Sequence, residues 1–459
     1  MPTGANLPFL TYKDTGIQSV NTTLTPIEDE NVVSQFLSQN SRVYLNGSND
    51  VVLQQNVKDI HEDHAITNMP TNLTFRIPND GDAISKVLFS YSVNVSQISS
   101  TPGTFLSKAF GLELIKNVEV RVGNQLWQTL TPEDILARMG TEDDYGTRYD
   151  IYDSITSVKG PGKVTDPGGS FLSLTIADEY NISGTIDLKI FSGSGDKLNT
   201  YLQVGAPNND MVVKIYLNNI IAANSFTDIS SATNFETSLI VKRHLLTDTE
   251  KIYVKDNVIN SLIHTSQNVS KVLKWGTLPT TDGAEFNFTI DLSDITINTS
   301  HLLIGISTSP YGRHGSTYRI QPGVGTNYRQ RPQPNPTGAD LVNPGIYDCL
   351  SHIELFINGS SVTGKLPSSY LLYGAKKMLG LNAGYDLPYY CVPLASTKFG
   401  VDSLVMSKLS SKKLVLSTNK TLFGGGNLND NYKILANITA VGTNVVSYVG
   451  GNCSQQIAN

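Results

Sequence analysis

Residues 359–365, Gly-Ser-Ser-Val-Thr-Gly-Lys, have the glycine and lysine spacing of a loop that wraps backbone N–H groups around a nucleotide's phosphates. They follow the β-branched run IELFI (353–357), as such a loop follows a strand. The chemistry is nevertheless incomplete. Where a hydroxyl should follow Lys365 to hold Mg²⁺ there is Leu366, then Pro367, and the neighbourhood is β-rich rather than βαβ. A glycine-containing hairpin turn accounts for the stretch with fewer assumptions.

His61-Glu-Asp-His64 places two imidazoles three residues apart around two carboxylates, a start for a metal site, but no further His or Cys cluster completes it. A solvated loop is the simpler reading. The other histidines, at 244, 264, 301, 314 and 352, are isolated. There is no GxSxG and no Cys-His arrangement for nucleophilic catalysis. Cys349, Cys391 and Cys453 are odd in number and widely spaced, which suits a reducing compartment rather than a disulfide framework. No catalytic, cofactor-binding or metal-ligating residue is therefore assigned: the sequence predicts a protein that is not an enzyme and needs no cofactor.

A net charge of -6 leaves no basic stripe for coating nucleic acid, so no direct nucleic-acid partner is expected. The opening MPTGANLPFLTYKDTGIQSV lacks a basic leader and an apolar signal core, and no run approaches 18 apolar residues. Neither secretion by a standard signal nor membrane spanning is expected. Charged residues make up only 16% while Asn, Ser, Thr and Gly abound, a weakly self-repelling surface suited to packing against copies of itself. Twelve Asn-x-Ser/Thr triplets, among them those at Asn72, Asn287, Asn358 and Asn437, follow from that composition, several of them inside expected strands.

The elements that must carry these residues are mostly strands. LTFRI (73–77), VEVRV (118–122), MVVKIYL (211–217), FNFTIDL (286–292), KLVLS (413–417) and KILANITAV (433–441) alternate or are β-branched, with Gly, Asn and Pro between them. That punctuation predicts sandwiches of antiparallel sheet. Helix starts are few: Thr25-Pro-Ile-Glu28, Thr247-Asp-Thr-Glu250 and Thr131-Pro-Glu-Asp134, the last opening a helix expected to end at Gly140. After Glu250, the spacing of Val258, Ile259, Leu262 and Ile263 predicts one helical face.

The sequence also repeats itself. Moved back by 235 residues, IELFINGSSVTGKLP meets VEVRVGNQLWQTLTP: Val118, Val120 and Val122 fall on Ile353, Leu355 and Ile357, and Pro132 on Pro367. The first copy keeps the turn without the Gly-Lys pattern, a further argument against phosphate binding. Leu73, Phe75 and Ile77 match Phe286, Phe288 and Ile290 at an offset of 213. The difference requires an insertion in the second copy, and residues 307–346, with six prolines, supply it as an exposed loop. The predicted organisation is an arm with a short helix (1–64), a β domain (65–245), a helical linker (246–274) and a second β domain (275–459).

Two β domains in this order, with particular motifs, resemble the double jelly-roll major capsid proteins of the nucleocytoplasmic large DNA viruses. Leu114-Ile-Lys-Asn-Val-Glu-Val-Arg-Val-Gly-Asn-Gln-Leu-Trp127 is similar to that family's strand and turn before a short helix. Leu239-Ile-Val-Lys-Arg-His-Leu-Leu-Thr-Asp-Thr-Glu-Lys251 is similar to its inter-domain linker, with Lys251 in place of the usual Arg. Tyr389-Tyr-Cys-Val-Pro-Leu-Ala-Ser396 and Lys433-Ile-Leu-Ala-Asn-Ile-Thr-Ala-Val-Gly442 resemble its closing segments. Phe399-Gly-Val-Asp-Ser-Leu-Val-Met-Ser-Lys408 departs from the family pattern, and the first 60 residues lack its aromatic and Arg-rich segment.

The resemblance implies two tandem eight-stranded antiparallel jelly rolls in an all-β chain. It implies a structural capsid protein whose homotrimer forms a pseudo-hexagonal capsomer tiling an icosahedral virion. Neighbouring capsomers, penton and minor capsid proteins, and proximity to an internal membrane follow as expected partners, with assembly in the cytoplasm of the infected host cell. The competing reading is a carbohydrate-binding or glycan-processing β-sandwich, since jelly rolls host both.

Overall fold

The computed structural model describes residues 48–56, 72–77, 83–97, 104–107, 110–123, 125–142, 154–160, 164–165, 171–174, 180–190, 202–203, 210–218, 229–244, 259–274, 284–309, 350–381, 389–398, 403–418, 433–449 and 452–456. The first unit contains β1 (Ser48–Asn56), β2 (Asn72–Ile77), β3 (Ala83–Gln97), helix α1 (Phe110–Glu113), β4 (Ile115–Val122), β5 (Gln125–Leu130), helix α2 (Pro132–Glu142), β6 (Tyr180–Asp187), β7 (Met211–Leu217) and β8 (Ile229–His244). The second contains β9 (Ile259–Lys274), β10 (Phe286–Asp291), β11 (Asn298–Ser309), β12 (His352–Ile357), β13 (Ser360–Ser361), β14 (Leu366–Pro367), helix α3 (Ala375–Leu379), β15 (Tyr390–Pro393), β16 (Lys412–Thr418) and β17 (Lys433–Val449).

Each unit is two facing antiparallel sheets. The first pairs β1-β8-β3-β6 with β2-β7-β4-β5; the second pairs β9-β17-β11-β15 with β10-β16-β12 and the interrupted edge strand formed by β13 and β14. Position for position the two strand orders are the same. Strands adjacent in a sheet are mostly distant in sequence, the arrangement of a jelly roll.

The alternation explains the sandwich. In β2, Leu73, Phe75 and Ile77 are buried while Asn72, Thr74 and Arg76 face solvent. In β7, Met211, Val213, Ile215 and Leu217 point inward. One apolar side chain every second residue gives each sheet a single core face, and full burial of each contributes about 1.5–3 kcal/mol.

Pairing refines the repeat. Phe75, Val213 and Val120 lie abreast across three strands of the first unit, and Phe288, Leu416 and Ile353 do so in the second. With Phe75 matched to Phe288, Val120 therefore matches Ile353, 233 residues on, instead of Leu355. The two-residue slip leaves every side chain on the face the sequence predicts, because strand side chains repeat every two residues.

Other expectations need correction. Ile259–Lys274, expected in a helical linker, is a 16-residue strand paired along its length with β17. Ser48–Asn56, expected in a separate arm, is an edge strand on β8. Residues 307–309, expected to begin the long loop, still belong to β11. Helix α2 runs two residues past Gly140. The helix starts at Thr25 and Thr247, the His61/His64 pair and residues 310–346 lie outside the described residues.

Candidate functional site: the seam between the jelly rolls

The Gly359–Lys365 loop is built as a hairpin. Asn358 and Gly359 both have positive φ (51° and 82°), as the tight two-residue turns joining antiparallel strands require. Val362 N donates to Leu355 O (2.8 Å), Thr363 Oγ1 accepts from Leu355 N (3.0 Å), and Gly364 N donates to Ser361 Oγ (3.2 Å). The Asn358 side chain accepts from Ser410 Oγ and Ser411 N, fastening the turn to the next strand connection. These N–H groups are committed to the hairpin rather than turned toward an anion, and Lys365 is exposed.

The densest polar chemistry lies instead where α2 and β5 of the first unit cover the outer face of β9-β17-β11. All eleven residues of α2 are buried despite its polar sequence PEDILARMGTE. The reason is reciprocal satisfaction. At the helix start Thr131 N and Oγ1 both donate to Asp134 Oδ2 at 3.0 Å, and Asp134 N donates back to Thr131 Oγ1. The other carboxylate oxygen crosses the seam, accepting from Thr439 Oγ1 (2.6 Å) and Asn268 Nδ2 (3.0 Å). Burial raises the Asp134 pKa, with the bonds from Thr439, Thr131 and Asn268 opposing it.

One turn on, the fully buried Arg138 forms a two-point ion pair with Glu142, at 2.8 and 3.2 Å, and donates to Lys189 O at 2.7 Å. Lys189, itself in the left-handed region at φ 56°, pairs with Asp187 at 3.2 Å. Burial raises the Asp187 pKa, but the Lys189 charge and backbone N–H overcome this and hold it below the usual range. Opposite stand His264 on β9 and His301 on β11. Burial first, then the Arg138 and Lys398 charges, lower both imidazoles to about 3, so both are neutral near neutral pH.

Apolar packing completes the seam. The first unit's core cluster continues across it to Ile263, Leu303, Val441, Cys391 and Leu379, whereas a separate cluster fills the second sandwich. Burial pushes the Cys391 thiol up to about 12 and the adjoining Lys376 down to about 8. Cys391 is thus an inert packing residue. Cys349 lies outside the described residues. Among the described residues no group of three or more His, Cys, Asp and Glu side chains is placed to hold a metal, and no helix is long and apolar enough to cross a membrane.

Sequence reasoning found the capping pair at Thr131 and Asp134 but missed its role across the seam. The available signal was a helix too polar for a core that directly follows the strand pair β4 and β5.

No protein-family model matches the sequence, and no curated protein matches it by sequence. Solved structures do match by shape. PBCV-1 VP54, fitted into a reconstruction of the virophage Sputnik, is 15% identical with a TM-score of 0.64, covering 90% of this chain and 98% of that one. A quasi-atomic model of the PBCV-1 virus capsid is 16% identical (TM-score 0.62) over the same shares of each chain. The Faustovirus major capsid protein is 8% identical (TM-score 0.53), covering 87% of this chain and 90% of that one. The chain shares their fold, two tandem jelly rolls.

Proposed function

We propose that this protein is a major capsid protein with a structural, non-enzymatic role, three copies of which close into a pseudo-hexagonal capsomer tiling the facets of an icosahedral virion. The observation that carries this reading is the unequal cover on two equivalent sheet faces. In the second unit, the outer face of β9-β17-β11 is buried under the first unit, with His301, Leu303, Thr439 and Val441 all inaccessible. In the first unit, the matching face of β1-β8-β3-β6 presents Leu88, Ser90, Ser92, Asn94 and Ile240 only half-buried.

A second copy can supply the missing cover. Its second unit offers an exposed Val362 (59%) on the hairpin and Met378 (53%) on α3. They sit on the hairpin and helix of the second unit, the counterparts of β5 and α2 that make the seam within one chain, so the same kind of joint can be repeated between copies. A head-to-tail joint between two similar lobes closes into a ring of six lobes when three chains take part. The fold shared with PBCV-1 and Faustovirus capsid proteins supports the same reading.

The proposal extends to location and partners: the virion shell, assembled in the infected cell's cytoplasm, with neighbouring capsomers, penton and minor capsid proteins in contact. Residues 1–47 would lie beneath the tile, towards minor proteins or an internal membrane, and residues 310–346 on its outer surface or between tiles. Light scattering after size exclusion and negative-stain microscopy test the core claim. A trimer that forms hexagonal arrays is expected, with chain–chain interfaces above about 2,000 Å²; a stable monomer that forms no arrays contradicts it. Deleting residues 310–346 without altering assembly or host attachment would remove the loop's roles, and proteolytic removal of residues 1–47 without loss of particles would remove the arm's.

A further inference from the structure

Beside the Asp134 network the seam opens into a cleft of about 370 Å³, in the range of small-ligand sites. β5 forms one wall; β9, the turn at residues 294–298 and residues 443–444 of β17 form the other. Eleven of the fifteen lining side chains end in a hydroxyl or an amide, none is Lys, Arg or His, and Asp294 is the one carboxylate. The far wall is fixed in place, because Gln267 Oε1 accepts from Thr296 N (2.6 Å) and Ile297 N (3.3 Å). Gln128 Oε1 and Asn298 Oδ1, on lining residues only 4% and 5% exposed, lie beneath the cleft surface with no hydrogen-bond partner.

We propose that this cleft binds a neutral saccharide of one or two rings. The chemistry selects the class. An anion finds no cation to neutralise it and meets the Asp294 carboxylate. An apolar ligand would strand the amides and hydroxyls without partners. Sugar hydroxyls both donate and accept, matching amides, hydroxyls and a carboxylate together. Leu126, half exposed at the cleft wall, offers an apolar contact for the C–H face of a ring.

Both walls of the site belong to one chain, so the cleft forms without a second copy. The test is saturation-transfer NMR on the purified full-length protein in its native oligomeric state. The probes are galactose, mannose, glucose and N-acetylglucosamine, with N-acetylneuraminic acid as the anionic comparison. Transfer to at least one neutral sugar and none to the acid is expected. Asp294→Ala and Thr296→Ala truncate exposed side chains and should abolish that signal, with folding verified by circular dichroism; Lys365→Ala should retain it. No transfer to any neutral sugar, equal transfer to the acid, or a signal undiminished in both alanine variants overturns the proposal. Because binding is read on soluble protein, failure to form arrays leaves the result intact.

Discussion

Thr439 Oγ1 donates a 2.6 Å hydrogen bond to Asp134 Oδ1, joining residues 305 positions apart in sequence. The carboxylate that caps α2 in the first jelly roll is thereby also the acceptor for the central strand region of the second. Asp134→Ala removes the acceptor for Thr131 N and Oγ1, one half of the capping box, and leaves the buried Thr439 hydroxyl without its acceptor, while the half-buried Asn268 amide keeps Thr439 Oγ1 at 3.4 Å. Losses of about 1 kcal/mol for that half of the capping box and about 1–3 kcal/mol for the stranded Thr439 donor are expected, measured by denaturant unfolding. Asp134→Asn should recover only part, because an amide presents one accepting oxygen where the carboxylate presents two.

The buried histidines set a pH dependence. His264 and His301 titrate at about 3 in the folded protein and near the ordinary imidazole value of about 6.5 when unfolded. Within that window the unfolded chain binds more protons, so stability present above the upper value is lost as pH falls toward the lower one. Each histidine contributes at most about 1.4 kcal/mol per pH unit. Denaturation midpoints should fall on acidification from about pH 7 to about pH 5, with a shallower slope in His301→Gln. A flat profile in the parent protein contradicts the assignment.

Gly442 passes Asn298 so closely that an added Cβ would lie 1.7 Å from the Asn298 carbonyl oxygen. Both are backbone positions of paired strands, so relief requires parting β11 from β17. Gly442→Ala is expected to cost about 3 kcal/mol or more. Lys365→Ala, on an exposed hairpin, should change stability by no more than about 0.5 kcal/mol and leave assembly intact. Loss of a measurable nucleotide hydrolysis on that change would restore the phosphate-loop reading.

Ile240 and Leu88 are cross-strand partners on the half-buried outer face of the first jelly roll. Replacing Ile240 by Arg places a charge where a second copy is proposed to dock, at little cost to the single chain. The expected outcome is an unchanged unfolding midpoint with dissociation to monomers on size exclusion. A variant that remains trimeric would move the chain–chain contact elsewhere on the surface.

Most of the fold was legible because its inner faces obey a period of two. Leu73, Phe75 and Ile77 predicted β2, and their match to Phe286, Phe288 and Ile290 predicted a second sandwich. β9 was misread because its covered outer face is polar: His264 and Ser266 are buried against the seam, so hydrophobicity does not alternate along it. The apolar residues at its start, Ile259, Leu262 and Ile263, then mimic a helical face. β1 was missed for a related reason, since Val51, Val52 and Leu53 form an apolar run without alternation. The seam was not legible at all. Asp134 and Arg138 look like solvated residues until a partner surface more than one hundred residues away in sequence covers them.

Having both jelly rolls on one chain has a kinetic consequence. Tethered surfaces meet at an effective concentration on the order of millimolar, so the seam under α2 needs little intrinsic affinity to stay closed. A joint of the same design between separate chains has no tether and opens at the rate its own contacts allow. Of the six joints in the proposed ring of three chains, alternate ones would thus be leashed and the others free. In that ring, subunit exchange and error correction would be confined to the three free joints, while the leashed ones would keep each pair of lobes in register throughout.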